Sequence, residues 1–150
     1  MNNVARSLLN ACAKTGMSFR IASPPGYQLD QGVAQHATAT AAQAGASVLV
    51  TEDPAEAVAD ADVVYTDVWT SMGQETENAR RLRDFAGYTV TEAMLAPARK
   101  EAIVLHCLPA HRGEEIDEAV LEGPRSRVWD QAENRLHVQK ALMLWLLGAA

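Results

Sequence analysis

"SVLVTEDPAEAVADADVVYTDVW", residues 47–69, contains two apolar β-rich runs with a helix start between them. The runs are "SVLVT" (47–51) and "DVVYTDVW" (62–69). Between them Asp53 supplies a capping side chain, Pro54 occupies the first helical position, and Glu56 adds an acidic third position. A strand, a capped helix and a second strand make a βαβ unit, and the crossover predicts that its two strands lie parallel. Further runs flank this unit: "SFRIAS" (18–23) before it, "AIVLHCL" (102–108) and "SRVWDQ" (126–131) after it. The alternation with amphipathic stretches predicts an α/β fold, a three-layer α/β/α arrangement around a mainly parallel sheet. Near-continuous apolar segments such as "VVY" and "IVL" suit strands covered on both faces.

At 150 residues and 48% apolar content the chain can bury one sizeable core. A net charge of −6 excludes a general phosphate-backbone binder, which needs clustered Lys and Arg, but leaves small anions within reach of one or two arginines. Neither nucleic acid nor membrane is an expected partner. The longest apolar run, "ALMLWLLGAA", is about half of the roughly 20 residues a membrane span needs. The N-terminal stretch does not read as a signal peptide, and the two cysteines, Cys12 and Cys107, show no zinc-knuckle spacing. A reducing, cytoplasmic setting is the expectation.

Gly16, Gly45 and Gly123 follow helical stretches as candidate C-caps. Residues 73–91 form a charged surface connection with a helix near 77–85, whose inward face carries Leu82 and Phe85. The chain opens on a helix in which Val4, Leu8, Ala11 and Cys12 share one face. An α/β unit ordinarily opens on a strand, so a strand is expected to be missing ahead of Asn2.

In open α/β sheets ligands bind beyond the carboxyl ends of the strands, which selects Asp67, then Cys107, Leu108 and Pro109, then Glu133, Asn134 and Arg135. Asn2 and Asn3 open the first helix, whose N–H groups and dipole favour an anionic group. Cys107 reads either as a small core residue or as a strand-end thiol exposed to ligand. Asp67 reads as a helix cap or as a carboxylate that holds an ammonium group, and Arg135 as a surface ion-pair member or an oxygen-binding cation. Ser71 and Met72 look like turn residues. A zinc site at His106, Cys107 and His111 is disfavoured, because adjacent strand residues point to opposite faces and a fourth ligand is not evident. His36 and His137 read as helix-surface residues. No G-x-G-x-x-G turn follows a strand, which argues against a dinucleotide site.

Taken together, "NNVARSLL" (2–9), "ASPPGYQLD" (22–30), "TDVWTSMGQE" (66–75), "RLRDFAGYTVT" (81–91), "LHCLPAHRGEEI" (105–116) and "VWDQAENRLHVQKALM" (128–143) resemble the ornithine carbamoyltransferase family over essentially the whole chain. The resemblance implies transfer of a carbamoyl group from carbamoyl phosphate to the side-chain amine of L-ornithine, giving citrulline and phosphate, as in arginine biosynthesis. It implies ornithine contacts at Asn3, Asp67, Ser71 and Met72. It places Cys107, Leu108 and Arg135 at the reacting carbamoyl group, with Cys107 and Arg135 catalytic. No metal or organic cofactor is implied. Members of the family carry a preceding domain with a Ser-Thr-Arg-Thr-Arg phosphate-binding motif, which this sequence lacks. The chain, 1–150, therefore reads as the ornithine-binding domain alone, a fragment without the first strand of its sheet and with little activity in isolation. The family's homotrimer is expected to depend on the absent domain. Two alternatives stand beside this reading: a non-catalytic amino-acid-binding or interaction module, and a carbamoyltransferase for putrescine or an acylated ornithine.

Overall fold

The strand, capped helix and strand of residues 47–69 form as their local chemistry predicts, but the two strands join different sheets and do not pair with each other. In the computed structural model, which describes residues 3–70 and 75–149, β2 (Val48–Thr51) leads into α3 (Pro54–Val58), and Asp53 Oδ1 accepts the Ala55 N–H at 2.8 Å. β3 (Val63–Thr66) follows. Ahead of this unit stand α1 (Asn3–Thr15), β1 (Phe19–Ala22) and α2 (Gln31–Gln43). The N-terminus of α2 is closed by Asp30, which accepts from the Gly32 and Val33 N–H groups. After β3 come α4 (Asn78–Asp84), α5 (Glu92–Leu95), β4 (Ile103–His106), α6 (Glu118–Leu121) and α7 (Val128–Leu146).

The strands pair in parallel, but as two pairs. β1 lies against β2 and β3 against β4, and among the described residues no ladder joins one pair to the other. Two clusters of buried side chains follow this division. Leu9, Ala13, Ala37 and Ala41 bring α1 and α2 together, with Phe19 and Val48 packed against them. Val64, Val90, Leu95, Val104, Ile116 and Val128 are among the residues that close the core around β3 and β4. Burial of this kind yields about 25 cal/mol per Å² of apolar surface and is the main force that holds each half.

Several expectations are corrected. The inward face of α1 is centred on Leu9 and Ala13, which pack with Ala37 and Ala41 of α2, and Ala11 is exposed. "SRVWDQ" does not form a strand. Only Ser126 bridges to Val104, and the chain enters α7 at Val128 because the Ala, Glu, Arg and Leu residues that follow are strong helix formers. Gly16 has the left-handed φ of +77° expected of a C-cap. Gly123 is required for another reason: a Cβ there would stand 2.5 Å from the Ala119 carbonyl oxygen.

Helix α7 extends beyond the core that anchors it. Val128 is fully buried, but Leu142, Met143, Trp145, Leu146 and Leu147 are exposed, Leu147 at 80%. The all-round apolar character of this end therefore meets no partner within the chain among the described residues. No helix in the described residues is long and apolar enough to cross a membrane.

Candidate functional site

The register of β3 and β4 creates the site. Thr66 pairs with His106, so the next residue on each strand, Asp67 and Cys107, emerges at the same carboxyl end. Cys107 Sγ donates to Asp67 Oδ1 at 2.8 Å, and the same oxygen accepts the Val68 N–H. Burial pushes the Cys107 thiol up to about 12 from 9.0, aided by the Asp67 carboxylate, which accepts the S–H and repels a thiolate; a hydrogen bond from Tyr65 acts in the opposite direction. At neutral pH Cys107 is therefore a neutral donor and not a nucleophile.

Two measurable consequences follow from this pair. Cys107 should react with iodoacetamide roughly 100-fold or more slowly at pH 8 than an unperturbed thiol, since each pKa unit is about tenfold in thiolate fraction; peptide mass spectrometry separates it from Cys12. Because the folded-state value lies above the ordinary one, the pair stabilises the fold below pH 9, and that contribution is lost as pH rises from 9 toward about 12.

Behind Cys107 the loop is held by a buried pair. His106 and Glu115 are both 0% exposed at the side chain, and His106 Nε2 lies 2.9 Å from Glu115 Oε1. The Leu108 N–H donates to His106 Nδ1 at 2.8 Å, which requires that nitrogen to be unprotonated and puts the ring proton on Nε2, donating to Glu115. The His111 N–H adds a second bond to Glu115 Oε1 at 2.7 Å. For Glu115 burial alone would raise the pKa, but the bonds from His106 and the His111 backbone outweigh it and hold the carboxyl below 4.5. These contacts support Leu108 at a left-handed φ of +58°, a conformation that disfavours side chains with a Cβ. His106 and Cys107 thus face opposite ways, as their strand positions require.

An open cleft of about 780 Å³ lies beyond the strand ends, lined among others by Tyr65, Cys107, Leu108, Arg112, Gln131 and Arg135. A volume of this order suits a small molecule. Cys107, Leu108 and Arg135 thereby share one wall, and Arg135 stands exposed on α7. Val4 of α1 also borders the cleft, so the exposed Asn3 at the start of that helix lies at its margin. Ser71 and Met72 lie outside the described residues. The chain on either side of them is anchored: Thr70 Oγ1 donates to Asn78 Oδ1 at 2.8 Å, and Arg81 Nη1 donates to the Trp69 carbonyl at 2.9 Å. Phe85 stacks on Trp69 with ring centroids 5.5 Å apart.

His111, Glu114 and Glu115 bring an imidazole nitrogen and two carboxylate oxygens within 4.8 Å of one another, a spacing that could admit a cation. Glu115 already serves His106 and the loop with one oxygen, and His111 Nδ1 faces the other at 3.7 Å, which accounts for the cluster as an ion pair. Sequence reasoning missed Tyr65, Glu115 and Gln131. Tyr65 had a weak signal, since it stands two positions before Asp67 and so shares its face of the strand.

The family model for the aspartate/ornithine carbamoyltransferase Asp/Orn-binding domain matches residues 1–146. The ornithine carbamoyltransferase of Acidothermus cellulolyticus is 58% identical over 99% of this chain and 48% of its own length. The crystal structure of the ornithine carbamoyltransferase from Gloeobacter violaceus superposes with a TM-score of 0.85 at 53% identity, covering 95% of this chain and 47% of that one. An acetylornithine transcarbamylase complexed with acetylcitrulline is also similar, with a TM-score of 0.77 and 33% identity over 93% of this chain and 42% of that one. The chain spans about half the length of the curated relatives it matches.

Proposed function

The chain belongs to the aspartate/ornithine carbamoyltransferase family, and on that premise we propose that it is the ornithine-binding half of an ornithine carbamoyltransferase. The reading is carried by the 2.8 Å contact between Cys107 Sγ and Asp67 Oδ1 at the mouth of a cleft that Arg135 also lines. The substrate's α-carboxylate would lie toward the first turn of α1 at Asn3, where the positive end of the helix dipole favours an anion. Its side-chain nitrogen would meet Cys107 and Asp67, with Ser71 and Met72 completing the ornithine contacts.

An amine of this kind has an unperturbed pKa of about 10.4 and attacks only as the free base, so the site must remove a proton and align the nitrogen. Cys107 and Asp67 provide the path. The ammonium first loses one proton to solvent; as the C–N bond forms, the nitrogen sheds a second proton to Sγ while the thiol's own proton passes to Asp67. The carbamoyl oxygen gains negative charge in the tetrahedral intermediate and is stabilised by the Arg135 guanidinium and the backbone at Leu108. Phosphate then leaves with the electron pair of the breaking C–O bond, and citrulline remains. Carbamoyl phosphate itself would be held largely by a second module with a phosphate-binding loop, as the missing Ser-Thr-Arg-Thr-Arg motif implies. The trimer, the cytoplasmic setting and a role in arginine biosynthesis belong to this same reading.

Calorimetry tests the substrate. L-Ornithine is expected to bind the chain with a Kd in the millimolar range or tighter, and Asp67→Ala should weaken binding about tenfold or more through loss of a charge-assisted contact. The likeness to an acetylornithine transcarbamylase makes N-acetylornithine the necessary comparison, with putrescine as a control for the carboxylate. Stronger binding of either would move the substrate assignment to that amine, and no binding of any of the three would remove it.

A further inference from the structure

Gln131 stands one turn ahead of Arg135 on α7, and its amide is used at both ends. Residues 125–127 run along the outer edge of β4, where the Val104 N–H donates to the Arg125 carbonyl and the Arg127 N–H to the Val104 carbonyl, each at 2.9 Å. The next donor on that edge is the His106 N–H. The main chain has by then turned into α7, and Gln131 Oε1 accepts that donor at 3.0 Å. A side chain thus continues the ladder where the backbone leaves it. The other end of the same amide, Nε2, donates to the Tyr65 hydroxyl at 3.0 Å.

Tyr65 carries the connection to the reacting pair. It lies on β3 two residues before Asp67, half-buried, and lines the same cleft as Cys107, close enough for its hydroxyl to favour the thiolate. Burial first, then the charge of a Cys107 thiolate, raise its pKa to about 12, so it remains a neutral phenol. With one lone pair taken by Gln131, its own proton is available to the sulfur. Two residues that the carbamoyl-transfer scheme does not use therefore link α7 and β4 to the part of the cleft that Cys107 lines.

We propose that Gln131 and Tyr65 are positioning residues, a side-chain bridge that fixes α7 and the Arg135 it carries against the Cys107–Asp67 pair and that orients the sulfur. The inference rests on the reading of Cys107, Asp67 and Arg135 as the reacting site, but its test does not require turnover. The titratable and charged groups around Cys107 are Asp67, just beyond β3, Tyr65 on β3, and Arg112 and Arg135, which line the same cleft, while the His106 ring turns away onto Glu115.

The test is the second-order rate of Cys107 alkylation by iodoacetamide in the 150-residue chain, followed from pH 7 to 10 by peptide mass spectrometry. Tyr65→Phe removes the donor to the sulfur and should slow alkylation about 3- to 10-fold at each pH in this range, the size expected for one hydrogen bond. Gln131→Leu should slow it in the same direction. The double variant should be no slower than the slower single variant, because the two act as one unit. Gln131→Glu guards against a folding artefact: it keeps an acceptor for His106 but turns the phenol proton toward its own carboxylate, so it should slow alkylation with the circular dichroism spectrum intact. Rates that are unchanged, raised, or multiplied independently in the double variant would overturn the proposal. Loss of ornithine binding with the alkylation pattern intact would instead remove the substrate reading and leave the bridge standing.

Discussion

Arg135→Ala is expected to lower citrulline formation about 10²- to 10³-fold when the chain is combined with a carbamoyl-phosphate-binding half from a relative, with ornithine affinity largely unchanged. The size follows from the role: removing one donor to a developing oxyanion costs about 3–4 kcal/mol at the transition state and little in the ground state. Arg135 is exposed on α7 and lines the cleft with Cys107 and Leu108, so its loss leaves no buried hole behind it. Unfolding curves should therefore superpose on those of the parent. Arg135→Lys should not restore full activity, because an ammonium cannot reproduce the planar fork of donors. A fall in turnover that merely tracked a fall in stability would place Arg135 in the fold and not in the chemistry.

Glu115→Ala is expected to be the most destabilising single change, by about 3 kcal/mol and within a range of about 2–5, read as a lower urea midpoint at unchanged slope. It strands two donors in the interior, the His106 Nε2–H and the His111 N–H, and removes the contact that keeps His106 in place to hold Leu108. Glu115→Gln retains an acceptor and should cost about 1 kcal/mol. The pH dependence has a defined sign. Glu115 titrates below 4.5 in the folded chain, so its contribution is fully present above that value and drains as pH falls through the lower folded-state value. The variants should therefore show a flatter loss of stability in acid than the parent. Equal acid sensitivity in parent and Glu115→Gln would contradict the assignment.

The parts of the fold that were legible in advance are those that local chemistry decides. Asp53, Pro54 and Glu56 announce α3 within four residues, and the apolar runs around it become β2 and β3 with ends close to those expected. What the sequence conceals is set by partners far along the chain. Glu115 sits in "RGEEI" and looks like a solvated charge; its burial follows from His106, nine residues earlier on a strand. Gln131 looks like a polar helix residue until α7 places it over the edge of β4. The misread run at 126–131 has the same origin, since two apolar residues next to an arginine fit a short strand equally well, and only the helix formers beyond them decide. Asp67 and Cys107 were found because they follow apolar runs, but their 2.8 Å contact depends on the register of β3 against β4, which no local pattern reports.

The apolar end of α7 is exposed, and among the described residues no ladder joins β1 and β2 to β3 and β4. Asp67 and Cys107 meet at the strand ends, and the Ser-Thr-Arg-Thr-Arg motif does not occur in the sequence. On the proposed reading carbamoyl phosphate is held largely by a second module, and the 150-residue chain by itself should turn over at well under roughly 1 per second.

The direct test is the rate of citrulline formation from ornithine and carbamoyl phosphate by the chain alone, by a relative's carbamoyl-phosphate-binding half alone, and by the two together. Citrulline is predicted only in the mixture, and lost from it in Cys107→Ala and Asp67→Ala. Turnover by the purified chain alone at about 1 per second or faster, or an associated mixture that forms no citrulline, would contradict the account.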